Sequence, residues 1–172
     1  MRKLIYGGAN TLDNYIASQD DSVDWILQSK EANDFLKQMW QSLDTIIMGR
    51  RTYEIATRSG HGGGQAGIKT YVCSRTLKEV KGKNVELASD AVALAKRLKA
   101  EEGKDICVMG GAQLAKSLFE AGLIDEVGVN IHPLLLGSGI PLFAAMETRI
   151  NLELLECKQS KNGCVILRYR VI

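Results

Sequence analysis

The sequence predicts an α/β fold: a single domain spanning residues 1–172, with helices on both faces of a mostly parallel sheet, a three-layer α/β/α sandwich closed by a C-terminal antiparallel hairpin. Three observations predict it. Short apolar runs of strand type, Leu4–Ala9, Thr45–Met48, Lys69–Cys73 and Ile106–Met109, alternate with amphipathic helical stretches. The run Ile106–Met109 passes through Gly110-Gly111 straight into a helical pattern with Leu114, Ala115 and Leu118 on one face. Finally, Asn162-Gly163 separates two strand-like runs, Leu152–Cys157 and Cys164–Val171, which is a strong hairpin signal. In the second run Val165, Leu167, Tyr169 and Val171 alternate with Arg168 and Arg170, so one face should be buried and the other should meet water.

Bulk composition narrows the function classes. A chain of 172 residues buries a sizeable core without staples. The 22 basic and 20 acidic residues nearly cancel and form no basic run, which argues against nucleic acid or a membrane surface as partner. Cys73, Cys107, Cys157 and Cys164 lie in or beside apolar runs without C-x-x-C spacing, as expected of buried thiols in a reducing, cytoplasmic setting. Only His61 and His132 could add to them, so no metal site is assigned. The N-terminus enters Lys3-Leu4-Ile5-Tyr6 at once, and no apolar run is long enough to span a bilayer.

Taken in order, Leu4–Ala9 is a first strand, Asn10–Asn14 a turn, and Tyr15–Ala17 a short extended piece. Gly7-Gly8 lacks the G-x-G-x-x-G spacing and no helix follows directly, which excludes a Rossmann first turn. Ser18–Ser22 is a polar, acidic loop leading to Asp24-Trp25-Ile26. Glu31–Leu43 is helical, with Ala32, Phe35, Leu36, Met39, Trp40 and Leu43 on a stripe expected to be core. Helical spacing turns Asp34 away from the stripe and leaves Asn33 on its flank, where it could border a cleft.

Three strand ends then carry residues suited to anions. Thr45–Met48 ends in Gly49-Arg50-Arg51-Thr52, where a helix begins; Lys69–Cys73 ends in Ser74-Arg75; Ile106–Met109 ends in Gly110-Gly111. In open parallel sheets ligands gather beyond the carboxyl ends of the strands, so these three ends should share one edge. Guanidinium groups pair with phosphate oxygens, and glycines before a helix let a phosphate approach unpartnered amides. A tight turn that binds nothing would explain one Gly-Gly pair, but three furnished ends favour phosphate. Ser59–Gly67, with five glycines, reads as a mobile surface loop, and without G-K-[ST] it is no phosphate loop. Val85–Leu87 is a short strand, Asp90–Glu102 a helix capped by Ser89 or Asp90 and ended by Gly103, Ala112–Ala121 a helix ended by Gly122, and Ile124–His132 a strand stopped by Pro133. His132 alone at that strand end reads as structural or solvated.

These residues resemble the dihydrofolate reductase-like fold, especially its branch with the reductase domain of riboflavin biosynthesis. Ile46-Ile47-Met48-Gly49-Arg50-Arg51-Thr52-Tyr53-Glu54, Val72-Cys73-Ser74-Arg75-Thr76 and Val108-Met109-Gly110-Gly111-Ala112-Gln113-Leu114 are similar to the three cofactor motifs of that family, in order and spacing. Thr11-Leu12-Asp13-Asn14-Tyr15-Ile16-Ala17 resembles the opening of the riboflavin-type branch, with Asn14 where glycine is usual. The resemblance implies NADPH as cofactor. Ala9 and Ile16 would line the nicotinamide pocket, Gly49, Arg50, Arg51 and Thr52 would hold phosphates, and Ser74 and Arg75 the adenosine 2′-phosphate. Gly110, Gly111, Ala112, Gln113 and Leu114 would cradle the pyrophosphate. The acidic residue that the folate enzymes place on their first helix falls here on Asn33, which cannot ionise, so the proton donor stays open, with Asn33, Asp13 and Asp24 as substrate-side candidates. The resulting expectation is a reductase passing hydride from NADPH to a small pterin- or pyrimidine-like C=N or C=O substrate; the alternative is a nucleotide-binding module without turnover. A homodimer built on the C-terminal hairpin is compatible with both.

Overall fold

A computed structural model describes residues 1–60, 64 and 67–172. Its eight-stranded sheet has the order β5-β4-β3-β6-β1-β7-β10-β9. Six strands form the parallel part: β1 (Leu4–Thr11), β3 (Leu43–Gly49), β4 (Lys69–Cys73), β5 (Val85–Ala88), β6 (Asp105–Met109) and β7 (Glu126–His132). β10 (Val165–Val171) runs antiparallel to β7 and carries β9 (Leu152–Gln159) on the open edge. A small pair, β2 (Tyr15–Ala17) with β8 (Ile140–Pro141), stands apart from the main sheet.

Alternation along the strands divides the sheet into two faces. On one, Leu4, Tyr6, Ile47, Ile106 and Val108 pack against α3 (Ala91–Ala100) and α4 (Ala112–Glu120) through Leu94, Leu98, Ala115, Leu118 and Phe119. Tyr6 lies at the centre, edge-on to Phe119 and Phe143, and its hydroxyl donates to the carbonyl of Leu142. On the other face Leu43, Ile46, Met48, Val72 and Cys107 form a smaller core with Tyr53 of α2 (Arg50–Arg58), and Met39 and Trp40 of α1 (Lys30–Ser42) lean on it. This is the expected three-layer sandwich.

The stripe on α1 departs from expectation. Of its residues within the helix only Ala32 is buried, and Leu36 is 43% exposed. Leu43 is buried, but as the first residue of β3. The reason lies in the sheet beneath. Gly7 and Gly128 stand side by side in register, and a β-carbon on Gly7 would strike the Gly128 carbonyl oxygen. With no side chains rising from these positions, Phe35 of α1 reaches to within 3.6 Å of where a Gly128 β-carbon would be and Arg168 Cγ to within 3.9 Å, and space remains beside them.

Smaller corrections have equally specific causes. Asn10 and Thr11 belong to β1 because they continue its pairing with Ile131 and His132. α3 stops at Ala100, and Gly103 serves a close approach instead: a β-carbon there would stand 2.7 Å from Asp44 Oδ2 and 3.0 Å from Arg2 Cζ. Cys157 is exposed because it lies on the edge strand β9, most of whose residues are exposed. Arg168 does not simply face water; it donates to buried Glu126 at 2.9 Å and pairs with Glu156 at 3.4 Å. The expected mobile loop Ser59–Gly67, with His61, falls largely outside the described residues.

Candidate functional site

The three furnished strand ends do share one edge. β4, β3 and β6 are parallel neighbours, so Ser74-Arg75, Gly49-Arg50-Arg51-Thr52 and Gly110-Gly111 emerge side by side at their carboxyl ends. A β-carbon built on Gly49 would lie 3.8 Å from the Gly110 carbonyl oxygen and 3.9 Å from Gly111 Cα, so the openings of α2 and α4 adjoin. The Ser29 hydroxyl caps α1 and the Asp90 carboxylate caps α3. α2 and α4 begin at Gly49 and Gly111 with no capping side chain, which leaves their first amides aimed outward. Gly110 and Gly111 sit at φ +69° and +83°, a region that disfavours any side chain, and a β-carbon on Gly110 would collide with the Thr52 hydroxyl. Thr52 therefore braces this turn. Gln113 is exposed at the start of α4, next to Ala112, while Leu114 packs behind Gly49.

The cations at this edge differ in availability. Arg50 pairs with Glu54 at 3.5 Å, and Arg51 with Asp21 at 2.6 Å. Arg75 is exposed and makes no ion pair among the described residues. The Ser74 hydroxyl accepts from the amides of Thr76 and Leu77 at 3.1 and 3.0 Å, so it shapes the turn that presents Arg75.

Beneath α1 lies a cavity of about 630 Å³. Ile26, Phe35, Leu36, Met39 and Trp40 line its outer wall, and Gly7, Ala9, Cys107, Met109, Gly128 and Asn130 its sheet wall. It is mostly apolar, in the size range of a small-molecule site. At the carboxyl end Ala9 and Met109 bring it beside the Gly110-Gly111 turn. At the amino end it reaches Asp105, Glu126 and Arg168, the first residues of β6 and β7 and a β10 arginine. Burial alone would raise the Glu126 carboxyl, but hydrogen bonds from Lys3 and Arg168 outweigh it and hold the group below the usual carboxylate range. Burial pushes the Cys107 thiol up to about 12, so it stays protonated and is no nucleophile.

The substrate-side candidates separate. Asn33 lines the cavity, whereas its exposed neighbour Asp34 does not. Asp13 accepts from the Thr11 hydroxyl at 2.5 Å and from the amides of Leu136 and Gly137 at 3.1 and 2.8 Å. Those bonds, the Thr11 hydroxyl first, hold its carboxyl below the usual range, so it stays ionised and ties two loops together. Asp24 is exposed and outside the cavity. Ile16 packs against the large core on the opposite face of the sheet, while Ala9 lines the cavity. Asn14 takes φ +66° in the turn.

Sequence reading did not single out Asn130, whose buried side-chain oxygen has no partner among the described residues; His132, read as structural or solvated, is fully buried with its Nδ1 3.0 Å from the Asn130 carbonyl and its Nε2 unpartnered among the same residues. Trp25 packs edge-on against His132 with centroids 5.2 Å apart, and its indole nitrogen is also buried without a partner among the described residues. The available signal was Glu126, Gly128, Asn130 and His132 at period two, a polar face on an interior strand.

With this geometry in place, comparison with known proteins adds the following. The family model described as the RibD C-terminal domain matches residues 2–166. YyaP of Bacillus subtilis, an uncharacterized protein, is 31% identical over 181 residues, covering 98% of this chain and 94% of YyaP. The riboflavin biosynthesis protein RibD of Corynebacterium ammoniagenes is 29% identical over 151 residues, covering 79% of this chain and 44% of that protein. Among solved structures, a Shewanella sp. PV-4 protein provisionally assigned to riboflavin biosynthesis superposes with a TM-score of 0.85 at 23% identity, covering 99% of both chains. At that identity the likeness bears on fold alone.

Proposed function

The chain belongs to the RibD C-terminal domain family, and on that premise we propose that it is an NADPH-dependent reductase of a small pterin- or pyrimidine-like C=N or C=O substrate. One observation carries the reading: three anion-suited strand ends on contiguous parallel strands adjoin a mostly apolar cavity of about 630 Å³. The residues present fit the cofactor. Uncapped α2 and α4 offer amides for a pyrophosphate, the bare backbone at Gly49 and Gly111 allows close approach while Thr52 packs on Gly110, and exposed Arg75 suits a 2′-phosphate. When bound, NADPH would supply the hydride. The chain's own part is orientation and exclusion of water. Ala9 and Met109 border the cavity at the cofactor edge, the side-chain amide of Asn33 on α1 offers a donor and an acceptor to a flat heterocycle from one wall, and Asn130 on β7 lines the opposite wall.

A second reading, a nucleotide-binding module without turnover, has one observation in its favour. Among the described residues, the carboxylates lining the cavity are Asp105 and Glu126, at the amino end and away from the cofactor edge. No carboxylic acid stands there to hand a proton to a substrate nitrogen, so in the reductase reading water delivers it. Oxidation of NADPH followed at 340 nm with a panel of reducible pterins and aminopyrimidine ribosyl phosphates separates the two. Turnover with any of them supports the reductase; NADPH binding with no oxidation across the panel supports the module.

A further inference from the structure

The loop between β2 and α1 places a carboxylate on α2. Arg51 Nε and Nη2 donate to Asp21 Oδ1 at 3.1 and 2.6 Å, and Arg58 Nη2 reaches Asp21 Oδ2 at 3.4 Å. Arg51 and Arg58 lie seven residues apart, close to two helical turns, so their guanidinium groups rise from one face and grip both oxygens of one carboxylate. Arg51 and Arg58 side chains are 57% and 69% exposed, so the clamp is open to solvent. Its position also favours an anion. Arg51 stands in the first turn of α2, where a cation opposes the helix dipole, and no capping side chain relieves the free amides there. Asp21 itself takes φ +70°, fixed by its amide bonding Ser18 O at 3.1 Å and by Ser18 N bonding Ser22 O at 2.9 Å.

We propose that Arg51 and Arg58 form an anion clamp for a phosphate or pyrophosphate group, and that the Asp21 carboxylate is its internal occupant, displaced when the ligand arrives. A phosphate brings more charge and more acceptor oxygens to the same two forks than a carboxylate does, and so wins the exchange. The displaced loop runs on to Ile26, Leu27 and Gln28, which line the cavity, so occupancy of the clamp is transmitted to the substrate wall. The proposal rests on the cofactor reading only for the source of the phosphate.

The test is Asp21→Asn, titrated beside the wild type with inorganic pyrophosphate and, separately, with NADPH. Asparagine keeps the shape and tolerates positive φ, so the loop conformation is retained while the competing charge is gone. Asp21→Gly, equally at ease at this φ, is the second variant should the first fold poorly. Pyrophosphate should bind the variant roughly three- to tenfold more tightly than the wild type, the scale of one to two exposed ion pairs. Adding Arg58→Gln should abolish the gain. Pyrophosphate binding that is unchanged or weaker in the Asp21 variants, or a gain that survives Arg58→Gln, overturns the clamp. If pyrophosphate follows the expected pattern while NADPH binds neither protein, the clamp stands and the cofactor reading falls.

Discussion

Replacing Leu36 by alanine separates a helix that seals a core from one that roofs a ligand cavity. Leu36 lies mid-stripe on α1 and is 43% exposed, with empty cavity beneath. Full burial of a leucine is worth about 1.5 to 3 kcal/mol, and roughly half of that applies to a side chain so exposed. No new void forms, since the space is already open, so the cavity penalty that dominates core truncations is absent. Alanine's better helix propensity returns a few tenths of a kcal/mol. The expected loss is about 1 kcal/mol or less. Leu118, fully buried between α4 and the sheet, provides the scale: its truncation should cost about 3 to 5 kcal/mol. Urea denaturation of both variants, with unchanged m-values, gives the comparison directly. A Leu36→Ala loss above about 2.5 kcal/mol, approaching that of Leu118→Ala, would mean that α1 seats on the sheet and that the proposed substrate cavity is closed in solution.

Arg75→Gln should weaken NADPH roughly tenfold and leave NADH unchanged if the guanidinium, exposed and without an ion pair among the described residues, holds the 2′-phosphate as proposed; fluorescence titration with both nucleotides checks this. Glu126 has a folded pKa below its unfolded value, so its contribution to stability is present above the unfolded pKa of about 4.3 and is lost as pH falls through the lower folded value. Glu126→Gln should therefore destabilise at pH 7 by about 1 to 3 kcal/mol, with the deficit narrowing toward pH 3 in denaturant melts. Dihydrofolate turnover should be slow or absent, because Asn33 can neither ionise nor pair with a protonated pterin; steady-state kinetics should show Asn33→Asp gaining it, within the factor of about 10² to 10⁴ that positioned proton transfer provides.

Much of the sheet was legible because local pattern and final environment agree. Lys69–Cys73 and Tyr15–Ala17 form strands with the expected bounds, and the carboxyl-edge rule for parallel strands gathers Gly49, Ser74 and Gly110 before any contact is known. Failures came where a residue's environment is set by distant partners. The α1 stripe has core periodicity, but what lies opposite it is the bare Gly7–Gly128 pair, which joins residues 121 positions apart, and periodicity says nothing about that. Arg168 looks like a solvent-facing alternate until β7 places Glu126 beside it. Gly110 suggested room for a ligand alone, yet the Thr52 side chain already demands a glycine there. Asp21 and Arg58, far apart in sequence and individually unremarked, meet only because the β2–α1 loop lies against α2, where Asp21 reaches both Arg51 and Arg58.

The central claim, that the edge formed by β4, β3 and β6 is an NADPH site, is tested most directly by isothermal titration of the wild-type protein with NADPH and NADH at one ionic strength. Saturable one-site binding of NADPH, at least tenfold tighter than NADH, is the expected result. Equal affinities, or heats for neither nucleotide, would contradict it.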